Sequence, residues 1–370
     1  MQHCDVLLVA LADITRDART ANLADALAKR GLSVLVLGGF SDRLDTTFEK
    51  IVWKDPGGRA LRRWWSLTRM CSTSTVSAKI VIAMDVFALA GSAAIARRSR
   101  VRLFYDMREL NFALGPLQGR GVKQTIITRH EERQLRTVDT IIVSGEMDAE
   151  LVRDRFRLAS RPLVLLNTPP YKDAVPSPLR QRCSLSENVP LVLYQGVVHH
   201  GRGIAPFFEA MKLMPDVHLA VLGDGPALSE LQSRARQMGV SDRVHWLGSV
   251  PYNELHSYTC GADLGLCLIE PLSLSYEYAL PNKLFEYMNA RIPSIVTDLP
   301  AMRQHIEKYP VGGLVQRVLS PEEIAHVTQT LLSGDARRAC INACESIREL
   351  SHEHQVHVVC AAIEHTLQAR

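Results

Sequence analysis

No apolar run in this 370-residue chain approaches the roughly 18 consecutive residues that a membrane-spanning helix needs. The N-terminal Met-Gln-His-Cys-Asp-Val-Leu-Leu-Val-Ala10 enters a strand-like stretch directly, without the basic opening of a signal peptide. The 8 cysteines are scattered and no pair is spaced C-x-x-C, which fits a reducing compartment. These absences together predict a cytoplasmic protein. A strong charge excess is also lacking: a net +4 does not point to a dedicated nucleic-acid binder, whose basic residues would form a stronger, clustered excess. No Asp-x-Asp pair sits in a metal-like setting. His352, His354 and His357 lack the His-Glu-x-x-His spacing that stacks two ligands one helical turn apart, so an amphipathic helix is the expectation there. No Ser-His-Asp or Cys-His constellation has local support. Neither a metal nor a cofactor is expected.

What is present is an alternation. Val6–Ala10 is a short apolar run, Ala18–Arg30 has helical period and ends at Gly31, and Ser33–Leu37 is apolar again. Strand, helix, strand with short joints is the pattern of a parallel α/β sheet. It repeats through Leu163–Leu166. A stretch with Pro169, Pro170, Pro176 and Pro178 interrupts it, and it restarts at Leu191–Gln195. The expected organisation is an N-terminal domain over 1–170, a linker over 171–188 and a second domain over 189–350. A helix over 351–370 is free to pack back on the first domain. A hydrophobic content of 46% and a length beyond one ordinary core agree with two globular domains.

The most informative stretch is Ala279-Leu-Pro-Asn-Lys-Leu-Phe-Glu-Tyr-Met288. Pro281 suits the first position of a helix, where a missing N–H costs nothing. The amides of Asn282, Lys283 and Leu284 would then be unpaired and would carry the positive end of the helix dipole, which favours phosphate. Lys283, Glu286 and Tyr287 fall at i, i+3, i+4 and share a face. A surface helix with an i, i+3 ion pair is the plainer alternative.

Tyr194-Gln-Gly-Val-Val-His-His-Gly-Arg-Gly203, Leu222-Gly-Asp-Gly-Pro226, Val244-His-Trp-Leu-Gly248, Ala262-Asp-Leu-Gly265 and Pro281-Asn-Lys-Leu-Phe-Glu-Tyr-Met288 follow one another in that order. In this they resemble the retaining glycosyltransferases of family four. The resemblance implies a GT-B fold: two Rossmann-like, doubly wound parallel-sheet domains facing across a cleft. It implies a UDP- or GDP-sugar donor held mainly by the C-terminal domain, and a sugar or lipid-linked acceptor. It implies metal-independent transfer with retention, in surface polysaccharide or glycoconjugate biosynthesis.

Residue by residue, the resemblance assigns a catalytic cation to Arg202, between the loop glycines Gly196 and Gly203. Lys283 is a second cation for the departing diphosphate, beside Pro281 and Asn282. Gly248 falls in the loop that holds the nucleobase, and Glu286 accepts from the ribose hydroxyls. The chain departs from the pattern at three places. Val197 stands where an arginine is frequent, Tyr278 where a sugar-binding glutamate is expected, and Arg108 where many relatives have histidine. Glu277 or Glu270 is left to take the sugar-binding role. On the acceptor side the resemblance points to Asp13, Arg16, Asp17, Asp106 and Glu109. A helix-start charge cluster that also includes Arg19 is the alternative for the first three. Two other readings stay open: a GT-B nucleotide-sugar epimerase, which shares the architecture, and a non-catalytic partner subunit, which the departures keep alive.

One segment stands apart from these motifs. Arg59, Arg62, Arg63, Trp64, Trp65 and Arg69 are basic and aromatic. The bland reading is a solvated helix face with both tryptophans packed inward. The sharper one is a peripheral contact with the inner face of a membrane.

Overall fold

The computed structural model describes residues 2–41, 46–113 and 121–369, apart from the side chain of Arg16. Two compact units divide the chain: Met1–Asn167 with His352–Arg370, and Thr168–Ser351.

The first unit contains a seven-stranded sheet: β1 (His3–Asp13), β2 (Val34–Gly39), β3 (Glu49–Val52), β4 (Ser77–Ala83), β5 (Arg102–Met107), β6 (Thr140–Val143) and β7 (Leu163–Val164). The order is β3-β2-β1-β4-β5-β6-β7, with every pairing parallel. Val6–Ala10 in β1 are completely buried. A central parallel strand is covered on both faces, so it reads as a continuous apolar run and does not alternate. Helix Ala60–Thr73 packs on the helix Val86–Ser99, where Gly91 leaves room for Cys71. The other face is closed by helices Ala18–Ala28 and His352–Gln368. The latter contributes Val356, Val359, Cys360 and Ile363 to the core around β1 and β4.

The second unit contains β8 (Leu191–Gln195), β9 (His218–Leu222), β10 (Val244–Gly248), β11 (Leu264–Cys267), β12 (Ser294–Thr297) and β13 (Gly312–Val315). The order is β10-β9-β8-β11-β12-β13, again all parallel. In both sheets the order reverses beside the first strand of the unit. Ligands of doubly wound sheets bind at the carboxyl ends of the strands at such a reversal. In the second unit that places a site beyond Gln195 and Cys267.

The proline-rich stretch read as a linker packs with the second unit. Arg180 is buried there. Its Nη2 donates to Asp263 Oδ2 at 2.6 Å, and its Nη1 donates to the carbonyls of Ser186 (3.0 Å) and Val189 (2.9 Å). Composition hides this anchor because Asp263 lies 83 residues further along the chain.

Candidate active site

β8 ends in a loop that only glycine permits. Gly203 has φ +71°, and a Cβ there would sit 2.2 Å from Leu268 Cβ, so the start of helix Ile204–Met211 lies flat against the end of β11. A Cβ on Gly223 would lie 1.9 Å from the Gly196 carbonyl oxygen. The Gly223–Pro226 turn thereby props the loop, and Val198 N–H donates to the Asp224 carbonyl at 2.9 Å. Arg202 projects from this loop with Gly196 at its start. The guanidinium carbon lies 4.7 Å from the Tyr276 ring centroid.

The second cation comes from helix Asn282–Asn289. Pro281 is its N-cap, with φ −76° and ψ 144°, one position earlier than the expected first helical residue. The Leu284 amide closes onto the Pro281 carbonyl at 3.0 Å. That leaves the amides of Asn282 and Lys283 as the two without a partner among the described residues. Lys283 Nζ sits 3.7 Å from the Tyr194 ring centroid and close to Gly196. Burial pushes its pKa down to about 8; Arg202 adds to the shift, while Cys267 and Glu286 oppose it. Both cations oppose the upward shift that burial imposes on the Cys267 thiol at the end of β11. Neither Arg202 nor Lys283 has an ion-pair partner among the described residues.

The plain reading of the helix, a Lys283–Glu286 ion pair, therefore does not form. Glu286 Oε2 accepts instead from Gln195 Nε2 at 2.5 Å, and Gln195 Oε1 accepts from the Thr259 hydroxyl at 2.8 Å. Burial raises the Glu286 pKa; the Gln195 bond and Lys283 oppose the rise. Gln195 was not singled out from sequence. Its signal was its place, the last residue of a buried strand before a glycine loop. Tyr287 is a correction. Its phenol does not join the cations; it is completely buried, 2.9 Å from the Leu193 carbonyl and 3.3 Å from that of Leu266. It ties the helix to β8 and β11, fitting beneath Gly265, where a Cβ would meet its ring at 2.3 Å.

A pocket of about 390 Å³ opens beside Arg202, lined among others by His199, His200, Glu209, Arg234 and Glu270. Glu270 is fixed there by its amide, which donates to the Gly201 carbonyl at 3.0 Å. Glu277 is engaged elsewhere, accepting from Arg317 Nη2 at 2.5 Å. Gly248 closes β10 with φ +71°.

In the first unit the expected acceptor residues form an internal network. Arg19 holds Asp106 through two bonds of 2.7 Å and donates to the Leu165 carbonyl at 2.8 Å. Asp106 is wholly buried, so its carboxylate is closed to an acceptor. Burial works to raise its pKa, but Arg19 and Arg108 hold it below the usual carboxylate value. Arg108 is spent on Asp17 (2.8 Å to each oxygen), on the Thr20 hydroxyl (2.6 Å) and on Asp106 (3.2 Å). Asp17 caps the helix Ala18–Ala28, and Asp13 caps the turn Ile14–Arg16. These are dipole-compensating positions. The Arg16 side chain lies outside the described residues. Glu109 is exposed.

Two parallel doubly wound sheets, with paired cations beside a glycine loop at the reversal of the second, define an α/β protein of the GT-B class. The description "Glycosyl transferases group 1" matches residues 178–346, and "Glycosyl transferase 4-like domain" matches residues 17–168. The chain belongs to the group 1 glycosyltransferases of GT-B fold.

Among curated relatives, an alpha-D-kanosaminyltransferase of Streptomyces kanamyceticus is 28% identical over 55% of this chain and 50% of its own length. A D-inositol 3-phosphate glycosyltransferase of Xylanimonas cellulosilytica is 28% identical over 58% and 53%. The chain spans about half the length of these relatives. Among solved structures, a sucrose-phosphate synthase from Thermosynechococcus elongatus superposes with a TM-score of 0.79 at 16% identity, covering 100% of both chains. The Anabaena protein HepE in complex with UDP superposes with a TM-score of 0.72 at 16% identity, over 99% of this chain and 100% of its own.

Proposed function

We propose that this protein transfers a sugar from a nucleoside-diphosphate sugar to a hydroxyl acceptor, with retention at the anomeric carbon. The observation that carries the reading is the pair of unneutralised cations, Arg202 and Lys283, at the strand reversal of the second sheet. As the bond from anomeric carbon to phosphate oxygen breaks, negative charge grows on the diphosphate. Two fixed cations and the amides of Asn282 and Lys283 stabilise it without reorganising. The acceptor hydroxyl bonds to the same face of the anomeric carbon, and its proton passes to the departing phosphate oxygen. Glu286, oriented by Gln195, accepts from the ribose hydroxyls. Glu270 is the better placed of the two glutamates for the sugar, because Glu277 is held by Arg317.

Calorimetric titration with UDP and with GDP tests the reading. One of the two is expected to bind. UDP comes first because HepE was solved with UDP and with UDP-glucose. No heat with either nucleotide, and no nucleotide release from a panel of UDP- and GDP-sugars, would remove the enzyme reading.

The reading includes an acceptor carried on a lipid, as part of surface polysaccharide or glycoconjugate assembly, and a peripheral contact with an anionic membrane surface. On helix Ala60–Thr73 Trp64 packs inward against Phe87 and His130, but Trp65 points out. Leu61 is 71% exposed and Trp65 63%; on helix Gly121–Leu135, which Trp64 touches through His130, Val122 is 75% and Ile126 56% exposed. Arg59, Arg62 and Arg69 are exposed beside Leu61 and Trp65, with Arg69 stacked on the Trp65 ring at 5.3 Å. Exposed apolar side chains with cations on the same helix suit an anionic interface. Arg62→Ala and Arg69→Ala should each weaken cosedimentation with phosphatidylglycerol-containing vesicles by about fivefold. Equal binding to neutral phosphatidylcholine vesicles would dismiss the contact.

A further inference from the structure

A carboxylate is one way to hold a cation in place for a diphosphate. That partner fixes the side chain and cancels its charge. Neither cation of this site is held so. Lys283 Nζ lies over the face of Tyr194 at 3.7 Å and the Arg202 guanidinium over the face of Tyr276 at 4.7 Å. The negative face of an aromatic ring attracts a cation through its quadrupole and carries no net charge. Each ring therefore localises its cation without adding a counter-charge.

The rings are themselves fixed. Tyr194 is buried at the end of β8, and its hydroxyl donates to the Val197 carbonyl at 2.6 Å, inside the loop that carries Arg202. Tyr276 stands on the short helix Leu274–Glu277, capped by Ser273, which accepts from the Tyr276 amide at 3.3 Å. Leu272 and Tyr276 close over Gly201, where a Cβ would meet Leu272 Cδ1 at 2.5 Å and Tyr276 Cε2 at 3.3 Å. The glycine next to Arg202 thus leaves room chiefly for Leu272 and, by a narrower margin, for the ring.

We propose that Tyr276 and Tyr194 are positioning residues that hold Arg202 and Lys283 by their ring faces, uncharged, for a nucleoside diphosphate. This rests on the donor-site reading above and names the part of the second unit that prepares it. The stretch from Leu272 to Tyr278 then serves the site through an aromatic ring, where Tyr278 replaces the expected glutamate.

The test is a calorimetric double-mutant cycle with UDP, or with GDP if that is the nucleotide bound. Tyr276→Leu should weaken binding about tenfold, between the values for an exposed and a desolvated cation–aromatic contact, since Arg202 and Tyr276 are both half-buried. Tyr276→Phe keeps the ring and should restore most of the loss. In an Arg202→Ala background Tyr276→Leu should cost less than twofold, because the cation it acts through is gone. A loss shared equally by Tyr276→Phe and Tyr276→Leu, or the same tenfold loss with and without Arg202, overturns the proposal. Thermal unfolding of each variant separates a folding defect from a binding one: if Tyr276→Leu does not fold, the comparison of Tyr276→Phe with wild type in both Arg202 backgrounds decides, a tenfold loss in Tyr276→Phe being the overturning result. Wild-type protein that binds neither nucleotide sinks the donor-site reading itself, a different outcome from a bound nucleotide indifferent to Tyr276.

Discussion

Lys283→Met is expected to lower kcat with the cognate nucleoside-diphosphate sugar by a factor of about 10²–10³, the cost of removing one preorganised donor from a developing anion. The substitution keeps the apolar stem over Tyr194 and deletes only the charge. A pH profile adds a second reading of the same group. Burial, with the help of Arg202, holds the Lys283 pKa down at about 8, against the opposing pull of Cys267 and Glu286. The cation is therefore complete only well below pH 8, is half lost at about pH 8 and disappears as pH rises further. The diphosphate of a nucleotide sugar has no proton to lose in that range. Wild-type kcat/KM should accordingly fall above about pH 8. Lys283→Arg should abolish that alkaline limb, because a guanidinium stays protonated, while its larger planar head lowers the plateau. If wild type and Lys283→Arg lose activity at the same pH, some other group governs the limb. Full activity in Lys283→Met would refute the phosphate assignment outright.

How much of this was legible in sequence depends on how local each signal is. Fully buried parallel strands announce themselves as apolar runs, so β1, β8 and β11 could be read off. β3 could not: Glu49-Lys-Ile-Val52 is a sheet edge with one neighbour, and its charged residues obscure the run. β13 was hidden by Gly312-Gly313, which reads as a turn. The structure supplies the reason for the first glycine, since a Cβ there would lie 2.0 Å from the Ser294 carbonyl oxygen. Lys283 and Arg202 were legible because a proline-led helix start and a glycine loop are local patterns. Their aromatic supports were not: Tyr194 reaches Lys283 across 89 residues of chain and Tyr276 reaches Arg202 across 74 (283 − 194 and 276 − 202). Shared helical spacing also misled. Position i+4 from Lys283 rotates Tyr287 far enough to bury it, while position i+3 keeps Glu286 at the site.

The acceptor-side residues carry the same lesson with a measurable consequence for stability. Asp106→Ala is expected to destabilise the first unit by about 3–5 kcal/mol, the cost of leaving a buried charge without its partner. Asp106 and Arg19 are both buried and joined by two bonds of 2.7 Å, and removal of the carboxylate strands Arg19 beneath Leu165 and takes one of Arg108's contacts. The double variant Arg19→Met/Asp106→Leu should recover much of the loss, because an apolar pair of similar volume leaves no charge uncompensated. The pH dependence has a definite sign. The folded Asp106 pKa lies below the usual value, so its contribution is complete above the ordinary carboxylate range and disappears as pH falls towards the folded pKa. Denaturant unfolding at neutral pH and again near pH 3 measures both effects, and the gap between wild type and Asp106→Ala should narrow in acid. A loss below about 1 kcal/mol at neutral pH would mean that the pair is no better than a surface bridge. Asp106 would then have to be reconsidered as a residue kept for the acceptor.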